Sequence, residues 1–227
     1  MLPAALVERR DFSTLRVCPG SYVDEASRWR HTDLLYSVRL GDRDAFVYVL
    51  FEHQSTVDPL MAFRLLQYLC TFWESWLAEH EDDKRLPAVI PVVLHHSKTG
   101  WTAPRQMLDL VDLEPEVLDI VRPHVPAFEL VLDDLSAQSD EALYGRAMTA
   151  YARLVLWSLR AARGGRLPQG TFAFWARVFR ELGEAPNGRE AFETIFRYLG
   201  DVLDEDQRYI IDAILSETSA SWPRRPT

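Results

Sequence analysis

The sequence predicts an α/β or α+β core followed by a helical C-terminal part. Residues 33–54 hold two strand-like runs with a turn between them, and a long apolar helix pattern follows. After a break at residues 163–168, the pattern is helical to the end. The 227 residues, 48% of them hydrophobic and 26% charged, suffice for one compact domain, or for a core with a small helical appendage.

The two runs in this region, DLLYSVRL (33–40) and DAFVYVLFEHQ (44–54), are rich in Val, Tyr, Phe and Leu, as strands are. The turn residues 41–43 between them predict a tight hairpin. The second run is apolar on both alternating faces, which is typical of a strand that is central in its sheet. SYVDE (21–25) is a candidate for a further short strand.

A long helix is predicted from Asp58 to about residue 80. Asp is a good N-cap, and Pro59 fits the first helical position. The helix is apolar around most of its circumference, so we expect it to pack deeply and to bury Cys70 in the core.

Further strands and helices complete the predicted order. AVIPVVLHH (88–96) has the pattern of a buried strand, but Pro91 interrupts it, so we expect this strand to be peripheral over part of its length. FELVLDDL (128–135) is the last strand candidate. Helices are expected at residues 140–163, 171–182, 188–202 and 204–217.

The charge balance restricts the classes of function. Lys and Arg number 25 against 34 Asp and Glu, and the net charge of −9 excludes a wholesale nucleic-acid coat, which needs clustered positive charge. A nuclease is not excluded, because its acidic centre needs only a local basic rim. Residues 28–64, where arginines balance acids, are the stretch in which we expect nucleic acid to make contact.

Cysteine content and hydropathy restrict the class of protein further. Two cysteines exclude a disulfide framework and a four-thiolate zinc site. No apolar stretch approaches the ~18 residues needed to span a bilayer, and the N-terminal MLPAALVERRD lacks a signal-peptide core. We therefore expect a cytoplasmic protein with no membrane partner.

The hairpin brings candidate metal ligands together. If its loop spans residues 41–44, Asp33 falls opposite Glu52, with Cβ atoms about 4.5–5.5 Å apart. Gln54 then points to the same face. Two carboxylates this close repel each other, and their burial is costly unless a cation or a proton intervenes. Their hard oxygen atoms suit Mg²⁺ or Mn²⁺.

Other interpretations of these residue types stay open. Asp33 and Glu52 are also consistent with ordinary strand-end residues that pair with a nearby arginine such as Arg30 or Arg64. His95 and His96 suggest zinc, but adjacent residues on a strand point to opposite faces and do not easily chelate one ion together.

Three stretches resemble the Rpn family of recombination-promoting nucleases, also described as YhgA-like transposases, within the PD-(D/E)XK nuclease superfamily. They are SYVDEASRWRHTDLLYSV, YVLFEHQSTVDPLMAFRLLQYL and LPAVIPVVLHHSKTGW. The resemblance covers about residues 15–135, and the E-H-Q-S-T-x-D-P-x-M-A-x-R run is its most specific part. It implies a restriction-endonuclease-like core, a mixed sheet flanked by helices, over residues 1–136, with a helical region over 137–227.

The resemblance also implies a Mg²⁺-dependent DNA endonuclease linked to recombination or mobile elements. Asp33 matches the aspartate of the first motif, Glu52 the glutamate of the (D/E)-x-K motif, and Gln54 the lysine position of that motif. The backbone carbonyl of His53 is a further metal ligand in such a site. Gln54 carries no positive charge, so it orients water or phosphate by hydrogen bonding alone.

On the helix that follows, Arg64 and Tyr68 match an arginine and a tyrosine of the family. They are four residues apart and therefore share a helix face. Arg64 is suited to hold a phosphate or the Glu52 carboxylate, and Tyr68 to donate a hydrogen bond into the site. His96 matches a family histidine near a strand end, where a structural or rim role is expected.

One departure from the family pattern concerns the first helix. MLPAALVERRDF corresponds to the end of that helix, so we expect its earlier part to be truncated or replaced. The sheet face left uncovered favours a homodimer in which a second copy covers it. It also keeps an alternative function open, a catalytically inactive remnant that binds nucleic acid or a protein. An RNase would use the same residues.

Overall fold

The computed structural model describes residues 10–18, 33–41, 43–52, 57–97, 99–162, 171–205 and 209. The strands are β1 (Arg10–Val17), β2 (Asp33–Leu40), β3 (Arg43–Glu52), β4 (Ala88–His95) and β5 (Val131–Asp134). The helices are α1 (Met61–Glu79), α2 (Pro115–Val121), α3 (Asp140–Tyr144), α4 (Ala150–Ala162), α5 (Thr171–Gly183) and α6 (Gly188–Val202).

The chain forms two compact units. Residues 1–95 and 100–134 make up the first, and residues 96–99 and 135–227 the second. All five strands and α1 belong to the first unit, and α3 to α6 belong to the second. The expected boundary after residue 136 stays a prediction.

The sheet is mixed, with the strand order β1-β2-β3-β4-β5. Strands β1, β2 and β3 pair in antiparallel fashion, and β3, β4 and β5 pair in parallel. The prediction of an α/β core is thereby confirmed, as is the central position of β3. One face of the sheet packs Leu35, Tyr48 and Leu50 against Met61 and Leu65 of α1, and the other buries a smaller apolar cluster.

The predicted register of the hairpin is wrong by two residues. Leu40 is the partner of Arg43, so the loop contains only two residues, and Asp33 lies opposite Leu50 rather than Glu52. Gly41 has φ +60°. Two-residue hairpin loops need such a positive φ, because only then does the turn match the twist of its strands.

The strand pairing of β4 explains the position of Pro91. Val92–His95 pairs with β5, whereas Ala88–Pro91 has β3 as its one strand partner among the described residues. Pro91 cannot donate a backbone hydrogen bond, and it therefore lies in the half with a single partner. The expectation that this strand is peripheral over part of its length is confirmed.

Helix α1 begins two residues later than predicted, at Met61 rather than Pro59. The Asp58 carboxylate accepts a hydrogen bond from the backbone N–H of Leu60, at 2.9 Å, just before the helix. The expectation of burial around most of the circumference is wrong, because Phe63, Cys70 and Leu77 are exposed. Within the described residues α1 packs against one sheet face, and these three residues lie on its far side.

At the N-terminal end, the structure departs from the sequence-based expectation. Arg10–Val17 forms β1, the outermost of the described strands, so residues 10–12 do not belong to the expected helix end, and residues 1–9 of that segment lie outside the described part of the chain. The candidate strand 21–25 and nearly all of the predicted helix 204–217 lie outside the described residues.

The second unit is a helical cluster with an aromatic core. Trp157, Trp175 and Phe179 are buried in it, with ring centroids of Trp157 and Trp175 5.8 Å apart. The predicted helix 140–163 is divided into α3 and α4. Arg160 forms an ion pair with Asp140.

Among the residues that the structure describes, none of the helices combines the length and the apolar character that a membrane span needs.

Substitution of Gly41 tests the hairpin turn. Gly41→Val is expected to lower the free energy of unfolding by about 1–2 kcal/mol, because an L-residue is strained at this φ. An added Cβ would meet no atom within 4 Å, so crowding contributes nothing. Urea unfolding followed by tryptophan fluorescence measures the loss. Gly41→Asn is the control and should lose less, since Asn tolerates positive φ; equal losses would contradict this account.

Thiol labelling tests the different environments of the two cysteines. Burial raises the pKa of the Cys18 thiol, an effect that hydrogen bonds with Ser37 partly offset, whereas Cys70 is exposed. A raised pKa leaves less of the reactive thiolate near pH 8. Iodoacetamide should therefore modify Cys70 first, and in Cys70→Ser the remaining thiol should react slowly and accelerate as the pH rises. Fast labelling of Cys70→Ser at pH 8 would contradict this.

Candidate active site

Three parallel strands end in polar residues at the same edge of the sheet. Glu52 is the last residue of β3, His95 of β4 and Asp134 of β5. They are also direct register partners, Glu52 with His95 and His95 with Asp134. Carboxyl ends of parallel strands are a common location of ligand sites in open α/β sheets.

The start of β2 lies at this same edge, because β2 runs antiparallel to β3. Asp33 is opposite Leu50, so positions 33 and 52 are diagonal neighbours on one face. Such neighbours are about 7–8 Å apart, further than the directly opposed pair that the sequence predicted. A gap of this size leaves room for an ion between two carboxylates.

Several predicted site residues lie outside the described part of the chain. This holds for His53 and Gln54 as a whole and for the side chains of Asp33 and Glu52. Their shared role stays a prediction that rests on backbone position. Among the side chains that the structure describes, no group of three or more His, Cys, Asp or Glu could hold a metal ion.

Arg64 lies on α1 and is largely buried, with its side chain 14% exposed. Its Nη1 is 3.5 Å from Oδ2 of Asp58, which belongs to the segment that leads into the helix. Its Nε donates a hydrogen bond to the Tyr68 hydroxyl at 3.4 Å. The guanidinium is thus held between an acid before the helix and a tyrosine one turn later.

Tyr68 connects Arg64 to the sheet. Its ring stacks on that of Tyr48 in β3, with centroids 5.4 Å apart, and it packs against the core below α1. The predicted face shared by Arg64 and Tyr68 is confirmed by their hydrogen bond. Tyr48 and position 52 are on the same sheet face, since they are four residues apart in one strand. The Arg64 guanidinium is thus held on the side of the sheet that carries positions 33 and 52.

His95, which the sequence analysis considered only as half of a zinc-binding pair, lies at the end of β4 as the direct register partner of position 52. It is fully buried, and its ring meets Trp101 edge-on at a centroid distance of 5.2 Å. The backbone N–H of Trp101 in turn donates to the Asp134 carboxylate at 3.0 Å. A signal was present in the sequence, because both β4 and β5 are apolar runs that finish in polar residues.

His96, the next residue, is also buried, at 7% exposure. It therefore belongs to the interior, and a rim position does not describe it. The tryptophans of the helices are core residues, as expected: Trp157 and Trp175 are fully buried, while Trp73 and Trp76 are partly buried against the core below α1.

Comparison with known proteins identifies related sequences. Residues 1–182 match the family model described as "Putative transposase, YhgA-like". The chain is 40% identical over 95 residues to recombination-promoting nuclease RpnD of Escherichia coli O157:H7, a match that covers 42% of this chain and 36% of RpnD. No solved structure gives a significant match.

Two further relatives come from Escherichia coli K12. Recombination-promoting nuclease RpnC is 34% identical over 97 residues, which cover 43% of this chain and 32% of RpnC. The inactive recombination-promoting nuclease-like protein RpnE is 34% identical over 101 residues, which cover 44% of this chain and 32% of RpnE. The matches thus span about a third of the length of these relatives, and the relatives include nucleases and a protein named as inactive.

Proposed function

Because the chain belongs to the YhgA-like transposase family, we propose that it is a metal-dependent DNA endonuclease that acts in recombination or on mobile elements. The observation that carries the proposal is the placement of two acidic positions. Positions 33 and 52 are diagonal neighbours on one face of the sheet, at the edge where the carboxyl ends of β3 and β4 lie. The names of the similar nucleases support the same class of reaction.

A PD-(D/E)XK-type core is part of this proposal. The order of hairpin, helix and parallel strand is consistent with it, as is a mixed sheet in which Asp33 and Glu52 lie on the adjacent inner strands β2 and β3. Gln54 occupies the position of the motif's lysine. Its amide can orient water or a phosphate oxygen, but it cannot neutralise charge.

A divalent cation fits the chemistry of these donors. Two carboxylates next to the buried residues Leu50 and His95 would repel each other unless a proton or a cation intervened. Their oxygen atoms, with the carbonyl of His53, suit Mg²⁺ and also Mn²⁺. Such an ion, when bound, lowers the pKa of a water ligand and offsets negative charge on the phosphate.

The described residues contribute a binding function to this mechanism. Arg64 is fixed by Asp58 and by the Tyr68 hydroxyl, and its planar guanidinium suits a phosphate better than a lysine would. Because the Arg64 side chain is only 14% exposed, water screens its attraction to a phosphate less than it would at the surface. In this proposal Arg64 binds the DNA backbone and Tyr68 holds Arg64 in place.

A second candidate function is a catalytically inactive module that binds nucleic acid or protein. The observation that favours it is the similarity to RpnE, named as inactive, over nearly the same share of the chain as the similarity to the nucleases. The endonuclease proposal also includes DNA as the partner, a homodimer and a cytoplasmic location.

Cleavage of supercoiled DNA with Mg²⁺ or Mn²⁺ tests the catalytic proposal. Asp33→Asn and Glu52→Gln should each reduce nicking on the order of 100-fold, because each removes one charge that stabilises the reacting centre. Asp44→Asn is the control, an exposed acid at the far end of the same hairpin, and should retain wild-type nicking. Equal loss in all three variants would contradict the site, and metal binding without cleavage by the wild type would favour the inactive module.

Salt dependence of DNA binding tests the role of Arg64. In a Glu52→Gln background, Arg64→Ala should reduce the slope of log K against log[salt] by about 1, because one phosphate contact is lost. Fluorescence anisotropy of a labelled duplex gives the slope. Arg105→Ala is the matched control, since Arg105 pairs with Glu129 at 2.6 Å and half of each side chain is exposed. An unchanged slope for Arg64→Ala would exclude a phosphate contact.

A further inference from the structure

We infer that His95 is a positioning residue that holds the Glu52 carboxylate in its metal-binding orientation, an inference that rests on the proposed function. The family resemblance assigns no role to His95, and the two-carboxylate pattern does not include it. Its place in the sheet, its burial and its contacts with the segment around Trp101 carry the argument.

The register of the sheet places His95 beside Glu52. The two residues are Cα partners in the parallel pair formed by β3 and β4. Neighbouring strands are about 4.8 Å apart, and direct partners lie on the same face. That face is the one covered by α1, since Val93, two residues before His95, packs in the core below α1. Among the described strand ends, His95 is thus the direct neighbour of position 52.

The surroundings of His95 fix its imidazole. The side chain is fully buried, and Trp101 contacts it edge-on at 5.2 Å. Trp101 is itself held twice, by the hydrogen bond from its backbone N–H to Asp134 at 3.0 Å and by one from its Nε1 to the carbonyl of Ala103 at 2.7 Å. Gly100, which precedes Trp101, has φ +79°, a backbone conformation that L side chains rarely adopt. A ring held in this way has few orientations available.

The chemistry of an imidazole suits this role. One of its nitrogen atoms carries a proton at neutral charge and can donate it to a carboxylate oxygen. A hydrogen bond of this kind selects one rotamer of a metal-binding carboxylate, and the loss of such partners typically costs about 10–100-fold in metal affinity or activity. The competing explanation is that His95 only fills space in the core.

Metal titration of the full chain separates the two explanations. His95→Leu fills similar space without a donor, and His95→Gln keeps one. Mn²⁺ affinity by isothermal titration calorimetry should fall about 10-fold or more for His95→Leu, and His95→Gln should recover most of it. Thermal unfolding is measured on each variant. His96→Gln is the matched control, a buried histidine next in sequence, and should bind Mn²⁺ like the wild type.

The outcomes distinguish this inference from the proposed function. Equal weakening by His95→Leu and His95→Gln, or wild-type affinity in both, would overturn the inference while Glu52→Gln still abolishes Mn²⁺ binding. A wild-type protein that binds no Mn²⁺ would overturn the inference and the metal-dependent function together. Weakening by His95→Leu, with recovery in His95→Gln and an unchanged His96→Gln, would establish the positioning role.

Discussion

Strand β3 is paired along both of its edges, and the rest of the first unit depends on that double pairing. It runs antiparallel to β2 and parallel to β4, and both of its faces are buried. Its register therefore determines which residues of β2, β3 and β4 are neighbours at the edge that holds Asp33, Glu52 and His95. A slip by one residue would put Ala45 and Val47 under α1 in place of Phe46 and Tyr48, and the side chains of both faces would no longer match their packing partners.

The error in the predicted hairpin follows from the same physics. A slip by two residues keeps every side chain of β2 and β3 on its own face. The distribution of apolar residues between the faces therefore does not distinguish two registers that differ by two residues. The turn decides the remainder. Gly41, with its positive φ, permits a loop two residues shorter than the one assumed from residues 41–44. Asp33 and Glu52 are consequently diagonal rather than opposed.

Local signals predicted some parts of the fold and site, and tertiary contacts determined others. The spacing of Arg64 and Tyr68 along a helix was sufficient to predict that they share a face, because helix geometry is local. The positions of His95 beside Glu52 and of Asp134 beside His95 were not accessible in this way, since they depend on how neighbouring strands pair in the sheet. Cys70 was assigned to the core because an apolar helix pattern does not reveal how many of its sides are covered.

Strand β1 has a consequence for how copies of this chain could meet. It is the outermost of the described strands, and its pairing with β2 is interrupted between Asp11 and Arg16. The Arg16 guanidinium donates to the chain's own carbonyl groups at Ser13 and Leu15, at 2.9 and 2.8 Å. An incoming strand would find those acceptors already used, on a backbone bent by the irregularity. Continuation of the sheet from one molecule into the next through this edge is therefore disfavoured, and so is aggregation that begins there.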